Sequence, residues 1–583
     1  MKVKFTLLLL LFYSTVALAQ SNVDRPYQEL ADPKPVELAG WNALKPGVYV
    51  SFASTDIRYD KHNAPAIAPL QSRWQAKAWK GEKVHTQFLV WATRNLEPLS
   101  FEWSKLQDDK GHTIPAKSIS ANFVRYVMAD GLNSEGGGCG IRPGLDSSLV
   151  EDVIDRVRSL PVNKNTTQPV WLSIKVPVNT VEGTYSGYVK ISEGKNKYFS
   201  TLYYSVQVLN HTLPEPAQWK FHLDLWQNPY SVSRVHGVQA WSKAHFDVMR
   251  PYMQMLANAG QKAITTTLIY DPWNSQTYDI YGSMVKWTRN TDGSWSYDYS
   301  AFDKWVSFMM STGINKMINC YSMIPWNLKF YYYDKALGKD TMIIARPGSP
   351  AYEAHWRPML VNFASHLKAK GWFNKTTIAM DERSMEDMQK AIAVIKSADK
   401  DFKISLAGNY HPEIEKDLFD YSVASNQEID QATMLSRRNS GLNTTYYTCC
   451  TEGHPNTFTF SAPAESVWLA WHAAYKGYDG YLRWAYNCWT KDPLRDTRFG
   501  SWSSGDAYLV YPGLRSSIRF ERLIEGIQDF EKINVLKDGF IKSDQQDKLL
   551  QLKSILEGFD IRALKNKNAA EVLETSRDRL NSL

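Results

Sequence analysis

The stretch Thr376-Thr377-Ile378-Ala379-Met380-Asp381-Glu382-Arg383 reads as a short β-branched and apolar strand that runs straight into two adjacent carboxylates. Similar short apolar runs recur on both sides of it, at Phe221 to Trp226, Ala263 to Tyr270, Lys316 to Tyr321, Lys403 to Ala407, Tyr421 to Ala424, Thr445 to Cys450 and Gly480 to Tyr486. Longer helical segments separate them, as in the helix through Val248, Met253, Met255 and Leu256. Strands alternating with helices are the mark of parallel βα units, and eight strands are what a (β/α)8 barrel requires. A doubly wound sheet is the structural alternative.

Outward from this region the pattern changes. Between Gln20 and Ala217, period-two alternation recurs in Val84 to Trp91, Val170 to Val176, Glu182 to Ile191 and Thr201 to Leu209, with turn signals such as Ser192-Glu193-Gly194-Lys195 between them. That pattern predicts an N-terminal β-sandwich over 20–217, closed by the proline-rich linker Leu213-Pro214-Glu215-Pro216. The barrel then occupies 218–515, and 516–583 is a helical C-terminal segment that completes or flanks it. Two insertions elaborate the barrel. Met284 to Tyr299 is a hairpin closed by Asn290-Thr291-Asp292-Gly293, and Phe330 to Ile344 carries the aromatic run Phe330-Tyr331-Tyr332-Tyr333. In such a barrel, βα-loop elaborations stand at the C-terminal mouth, where sites are built.

The first 19 residues read as a signal peptide. Met1-Lys2-Val3-Lys4 is basic, Phe5 to Val16 is mainly apolar, and Ala17-Leu18-Ala19 is a small-x-small cleavage site. Export to a periplasm or the exterior is expected, with no membrane span in the remaining chain. The absence of a cysteine just after the cleavage site argues against a lipid anchor there. A formal charge of +7 over 583 residues, +5 without Lys2 and Lys4, is too small an excess to indicate nucleic acid. The five cysteines, Cys139, Cys320, Cys449, Cys450 and Cys488, lack redox or zinc spacing and read as small core residues.

Aromatic content is high at 13%, with 21 Trp and 32 Tyr. Flat rings suit the C–H faces of sugars, although large β-rich and barrel cores also consume them. The Asp381-Glu382 pair sharpens the glycan reading. Where a strand passes into its loop, neighbouring side chains can both reach one substrate, and adjacent carboxylates disfavour simultaneous ionisation. Retaining glycosidases normally draw two carboxylates from different strands, whereas neighbours on one strand suit a substrate-assisted route through a 2-acetamido group. A solvated helix start at Ser384-Met385-Glu386-Asp387 would equally account for two acids in sequence.

A second constellation, Tyr478 to Trp489, places Leu482, Trp484 and Tyr486 on one face of a strand and Arg483 and Ala485 on the other. Trp484 is a candidate sugar platform. Asn487 and Trp489 lie beyond the strand, where polar ligands to hydroxyls are expected. Trp226, Tyr321, Asn409, His411 and Tyr447 are further candidates by their position at strand ends; His411 reads equally as an ordinary loop histidine. A tyrosine such as Tyr447 could hold an acetamido oxygen in line for attack.

The runs Gly480 to Asn487, Asp492-Pro493, Asp496 to Phe499, Gly505 to Gly513 and Ser516 to Asp529 together resemble glycoside hydrolase family 123. The resemblance implies a sandwich followed by a (β/α)8 domain, and an exo-acting, retaining β-N-acetylgalactosaminidase. It implies Asp381 as the acetamido-orienting residue and Glu382 as the acid/base, with neither metal nor organic cofactor. The implied partner is a glycan ending in β-linked GalNAc, including glycosphingolipid-type oligosaccharides. The competing readings are a β-hexosaminidase preferring GlcNAc, a hydrolase of sugars without an acetamido group, and a noncatalytic glycan-binding protein.

Overall fold

The computed structural model describes residues 27–131, 139, 140, 144, 146–195, 197–500, 502–565 and 568–583. The signal peptide expected over 1–19 therefore lies outside the described residues.

The N-terminal part is two facing sheets. One runs in the order Val48–Ala53, Lys83–Ala92, Thr166–Lys175, Ile119–Asp130, Ser147–Ile154 and Ser516–Ser517; the other has seven strands centred on Lys197–Thr212 and Gly183–Glu193. Phe88, Val90, Val170, Leu172 and Ile174 from the first sheet meet Val189, Ile191, Leu202 and Val206 from the second, forming a dry sandwich core. Strand Lys83–Ala92 is buried along both faces rather than one. Its alternation marks two different buried environments: its second face is covered by Trp41 against Leu89 and Trp91, while on the neighbouring strand Trp171 packs on Ile518 of the C-terminal part.

Eight parallel strands follow: β1 His222–Leu225, β2 Ala263–Thr267, β3 Met317–Tyr321, β4 Thr376–Asp381, β5 Lys403–Gly408, β6 Asp420–Ala424, β7 Asn443–Tyr447 and β8 Gly480–Arg483. Each overlaps one of the eight apolar runs in the sequence, although β7 begins two residues before and ends three residues before the run Thr445 to Cys450. Seven ladders connect them in the order β1, β8, β7, β6, β5, β4, β3, β2. The last seam, between β1 and β2, closes by a bridge from Leu223 to Gln261. Side-chain amides replace missing ladder bonds there: Leu225 N donates to Gln261 Oε1 at 2.9 Å and Thr265 N to Gln227 Oε1 at 3.0 Å. At the β1–β8 seam Gly480 is required, because a Cβ would stand 2.1 Å from the His222 carbonyl oxygen.

The two insertions form one antiparallel and parallel sheet of four strands, with Lys286–Arg289 and Trp295–Asp298 in the loop after β2, and Lys329–Asp334 and Lys339–Ile344 in the loop after β3. Trp287, Phe330 and Tyr332 point inward onto His355 and Trp356 of helix Pro350–Lys370. Helix Ile518–Lys542 lies in the outer ring against helix Pro463–Lys476, and Gly526 lets the two approach where a Cβ would meet the Val467 carbonyl at 2.6 Å.

The same helix locks the barrel to the sandwich. Asp152 of the sandwich, fully buried, accepts from Arg519 Nε and Nη2 at 3.0 and 2.9 Å and from Tyr511 Oη at 2.5 Å. Arg515 and Arg125 converge on Asp155, and Lys532 pairs with Glu82 at 2.5 Å. The cysteine expectation needs correction. Cys139 and Cys450 form a disulfide across 311 residues, a pairing that local spacing cannot reveal. Cys320 and Cys488 are buried free thiols, each pushed up to about 12 by burial, while Cys449 remains free beside the bridge.

Candidate active site

β4 delivers Asp381 and Glu382 to the C-terminal mouth of the barrel, and the two carboxylates enter different surroundings. Asp381 is the last strand residue, 7% exposed, and its Oδ2 accepts from Trp273 Nε1 at 2.7 Å. Burial raises its pKa to about 6, against the opposing pull of the Arg383 charge and the Trp273 hydrogen bond. The rise therefore comes from desolvation and not, as adjacency suggested, from its carboxylate neighbour. Glu382 stands one step outward and half-buried; Asn409 Nδ2 donates to its Oε1. Gly408, at the end of β5, makes room for it, since a Cβ there would lie 3.0 Å from the Glu382 Cβ.

Behind Asp381 is a packed aromatic wall. Trp226 follows β1, Trp273 follows β2 and Tyr321 ends β3; their ring centroids are 5.1 Å (Trp226 to Trp273), 4.5 Å (Trp226 to Tyr321) and 5.4 Å (Trp273 to Tyr321) apart. Burial drives the Tyr321 hydroxyl far above the usual phenol range, with the charges of Asp224 and Asp381 adding to it. On the other side, Tyr447 ends β7. Burial also raises its hydroxyl, and the charges of Cys449, Glu382, Glu452 and Asp381 reinforce the shift, so this phenol stays protonated and faces the same carboxylate field.

The loop after β5 is pinned by Tyr421, whose hydroxyl donates to the Asn409 carbonyl at 2.5 Å and accepts from His411 N at 2.8 Å. This fixes the backbone that carries Asn409. The His411 ring makes no hydrogen bond to either carboxylate. Trp484, half-buried after β8, donates Nε1 to Asp506 Oδ2 at 3.3 Å and meets Trp502 edge-on at 5.5 Å. Asp506 in turn accepts from the fully buried Arg483 at 2.5 Å.

Asn487 and Trp489 are not part of this group. Asn487 is fully buried, accepting from Asn228 N and donating to Asn228 O, both at 2.9 Å, so its amide caps backbone instead of facing the mouth. Trp489 is fully buried, donates Nε1 to the Val510 carbonyl at 2.7 Å, and packs on Tyr252. Both lie beyond a strand end in sequence, but the chain turns inward there and makes them core.

Two participants were not singled out from sequence. Trp273, 4% exposed, is the sole side-chain hydrogen-bond donor to Asp381 among the described residues, and its position three residues past the second apolar run was the available signal. Arg383 directly follows the acid pair and lies over the Trp326 ring at 3.8 Å. A separate groove lined by Tyr410, Glu428, His454, Lys476 and Arg562 includes neither carboxylate, and its Glu428 pairs with Lys476 at 3.7 Å and Arg562 at 3.2 Å.

A sandwich joined to a (β/α)8 barrel whose mouth gathers a buried Asp, a neighbouring Glu and several indoles defines the class of barrel glycosidases. The family model described as the glycoside hydrolase 123 catalytic domain matches residues 226–536, more than half of the chain, and that of the glycoside hydrolase 123 N-terminal domain matches 52–193. The chain belongs to glycoside hydrolase family 123. It is similar to a family 123 glycoside hydrolase from Clostridium perfringens, whose structure was analysed for glycolipid glycan hydrolysis, at 28% identity over 91% of this chain and 98% of that one, with a TM-score of 0.82. A β-glucuronidase from Parabacteroides merdae aligns at 9% identity over 83% of this chain and 51% of that one with a TM-score of 0.30, too distant to bear on function. Among curated proteins none matches.

Proposed function

We propose that this glycoside hydrolase releases terminal β-linked N-acetylgalactosamine from glycans, with retention, by substrate assistance. The carrying observation is the division of labour between two successive residues: Asp381 buried and oriented by Trp273, Glu382 half-buried and held by Asn409.

In the first step the acetamido carbonyl oxygen attacks C1 and the bond from C1 to the leaving oxygen breaks. Glu382, entering as the carboxylic acid, gives its proton to that oxygen. Asp381, as carboxylate, accepts the acetamido N–H and stabilises the positive charge of the oxazolinium ring. In the second step the Glu382 carboxylate takes a proton from water as its oxygen attacks C1, the ring opens, and the β configuration returns. A hydroxyl that stays protonated, such as that of Tyr447, suits donation to the acetamido oxygen. Oligosaccharides of the glycolipid type are proposed substrates, by analogy with what is described for the Clostridium relative. Export after cleavage near Ala19 belongs to the same reading, and the Cys139–Cys450 disulfide supports an oxidising compartment.

The direct test is release of p-nitrophenol from the β-GalNAc and β-GlcNAc glycosides, together with inhibition by GalNAc-thiazoline. Turnover of the GalNAc compound with thiazoline binding tighter than GalNAc is the expected result; a glycan-binding protein has no reason to prefer the bicycle. Binding of GalNAc and thiazoline with equal affinity and no hydrolysis of any GalNAc-terminated oligosaccharide would overturn the proposal.

The pH profile supplies a second test. Asp381 must be ionised to accept the N–H, so kcat/KM falls as pH drops through about 6. Trp273→Phe removes a donor to the charged form, so the acid limb of this variant is expected at higher pH. A limb that stays in place would separate Asp381 from the pH dependence.

A further inference from the structure

We propose that Trp326, backed by the Arg383 guanidinium, is the binding platform for the second sugar of the glycan, on the leaving-group side of Glu382. This inference rests on the exo-hexosaminidase reading above.

Depth gives the direction. Asp381 and its aromatic wall form the closed end of the site, so the terminal sugar occupies that end and the rest of the glycan must leave across the rim. Trp326 is on the rim and 50% exposed. It is nevertheless fixed to the site at two points: its backbone N donates to the Pro272 carbonyl at 3.1 Å, next to Trp273, and its ring is covered on one side by Arg383, whose Nη1 donates to the Glu382 carbonyl at 2.5 Å. A half-exposed indole held by a cation on one face offers the other face to a ring of C–H groups, with little rotamer freedom left to lose.

Arg383 is the backing of the platform and leaves the far face of the Trp326 ring to the sugar. Its Nη2 is buried and has no hydrogen-bond partner among the described residues. The rim after β8 is less available. Trp484 and Trp502 pack edge to face and commit both indole N–H groups, to Asp506 and to the Gln276 carbonyl. Beyond Trp326, exposed Tyr270 and Tyr331 meet at 5.3 Å and extend an aromatic edge from the loop after β2 to the inserted sheet.

The test compares two substrates with the same terminal sugar: an oligosaccharide ending in β-GalNAc, and trifluoroethyl β-GalNAc, whose aglycone has no ring to stack. Trp326→Ala is expected to lower kcat/KM on the oligosaccharide about 10- to 100-fold, mainly through KM, a loss at least about tenfold greater than on the trifluoroethyl glycoside. Trp326→Phe should recover most of that difference. Equal losses on the two substrates would overturn the platform and make Trp326 a prop for the whole site, as would a loss below about threefold on the oligosaccharide. Wild-type protein that hydrolyses neither substrate would instead remove the reaction reading, and this inference with it.

Discussion

Glu382→Gln is expected to lower kcat/KM on an oligosaccharide ending in β-GalNAc by about 10²- to 10⁴-fold, the range lost when a positioned proton donor is removed. The loss should shrink as the leaving group becomes more acidic, because a dinitrophenolate departs without protonation. Asp381→Asn should cost about 10²- to 10³-fold on both kinds of leaving group, since it weakens charge stabilisation of the oxazolinium and not proton delivery. The two variants are thus distinguished by leaving-group dependence, measured as kcat/KM across a series of aryl glycosides. Parallel dependence in both would reverse or dissolve the assignment, and near wild-type turnover in both would end it. The assignment follows from environment: Asp381 is buried against Trp273, while Glu382 lies outward, where a glycosidic oxygen can be reached.

The largest stability effect is expected at Asp152, far from both carboxylates in sequence. Asp152→Ala leaves the buried guanidinium of Arg519 without its counter-charge and removes the acceptor of the Tyr511 hydroxyl. Removing one partner from a buried pair costs about 3–5 kcal/mol, because the remaining charge stays desolvated. Equilibrium denaturation should show the loss, and a change below about 1 kcal/mol would mean that water or another group compensates. The same Arg519 donates Nη1 to the carbonyls of Thr457, Gly505 and Tyr508 at 2.8, 2.9 and 2.9 Å, so it holds loops after β7 and β8 as well as the domain junction. Reduced activity in this variant at temperatures below its unfolding transition would show that the sandwich helps to set the mouth.

The eight barrel strands were legible because each is a short apolar run with a helical segment behind it, a local property that burial in a parallel sheet imposes on every strand. Thr376 to Asp381 became β4 without adjustment, and position alone then brought Asp381 and Glu382 to the mouth. Trp226, Tyr321, Asn409, Tyr447 and Trp484 also stand at strand ends, for the same reason. Asn487 and Trp489 show where that logic stops. Beyond a strand end, periodicity no longer says which way the chain goes, and the fold of 484–515 turns both side chains into the core.

The sequence by itself determined the order of sandwich and barrel, the strand that carries the acid pair, and the family, because these are written in local periodicity and contiguous motifs. Only the tertiary structure decided that Trp273 orients Asp381, that Asn409 holds Glu382, that Arg383 stacks on Trp326, and that Cys139 pairs with Cys450. The physical reason is range. Burial patterns repeat every few residues, whereas desolvation, hydrogen bonding and disulfide pairing depend on which distant segments meet, and that is fixed only when the barrel closes.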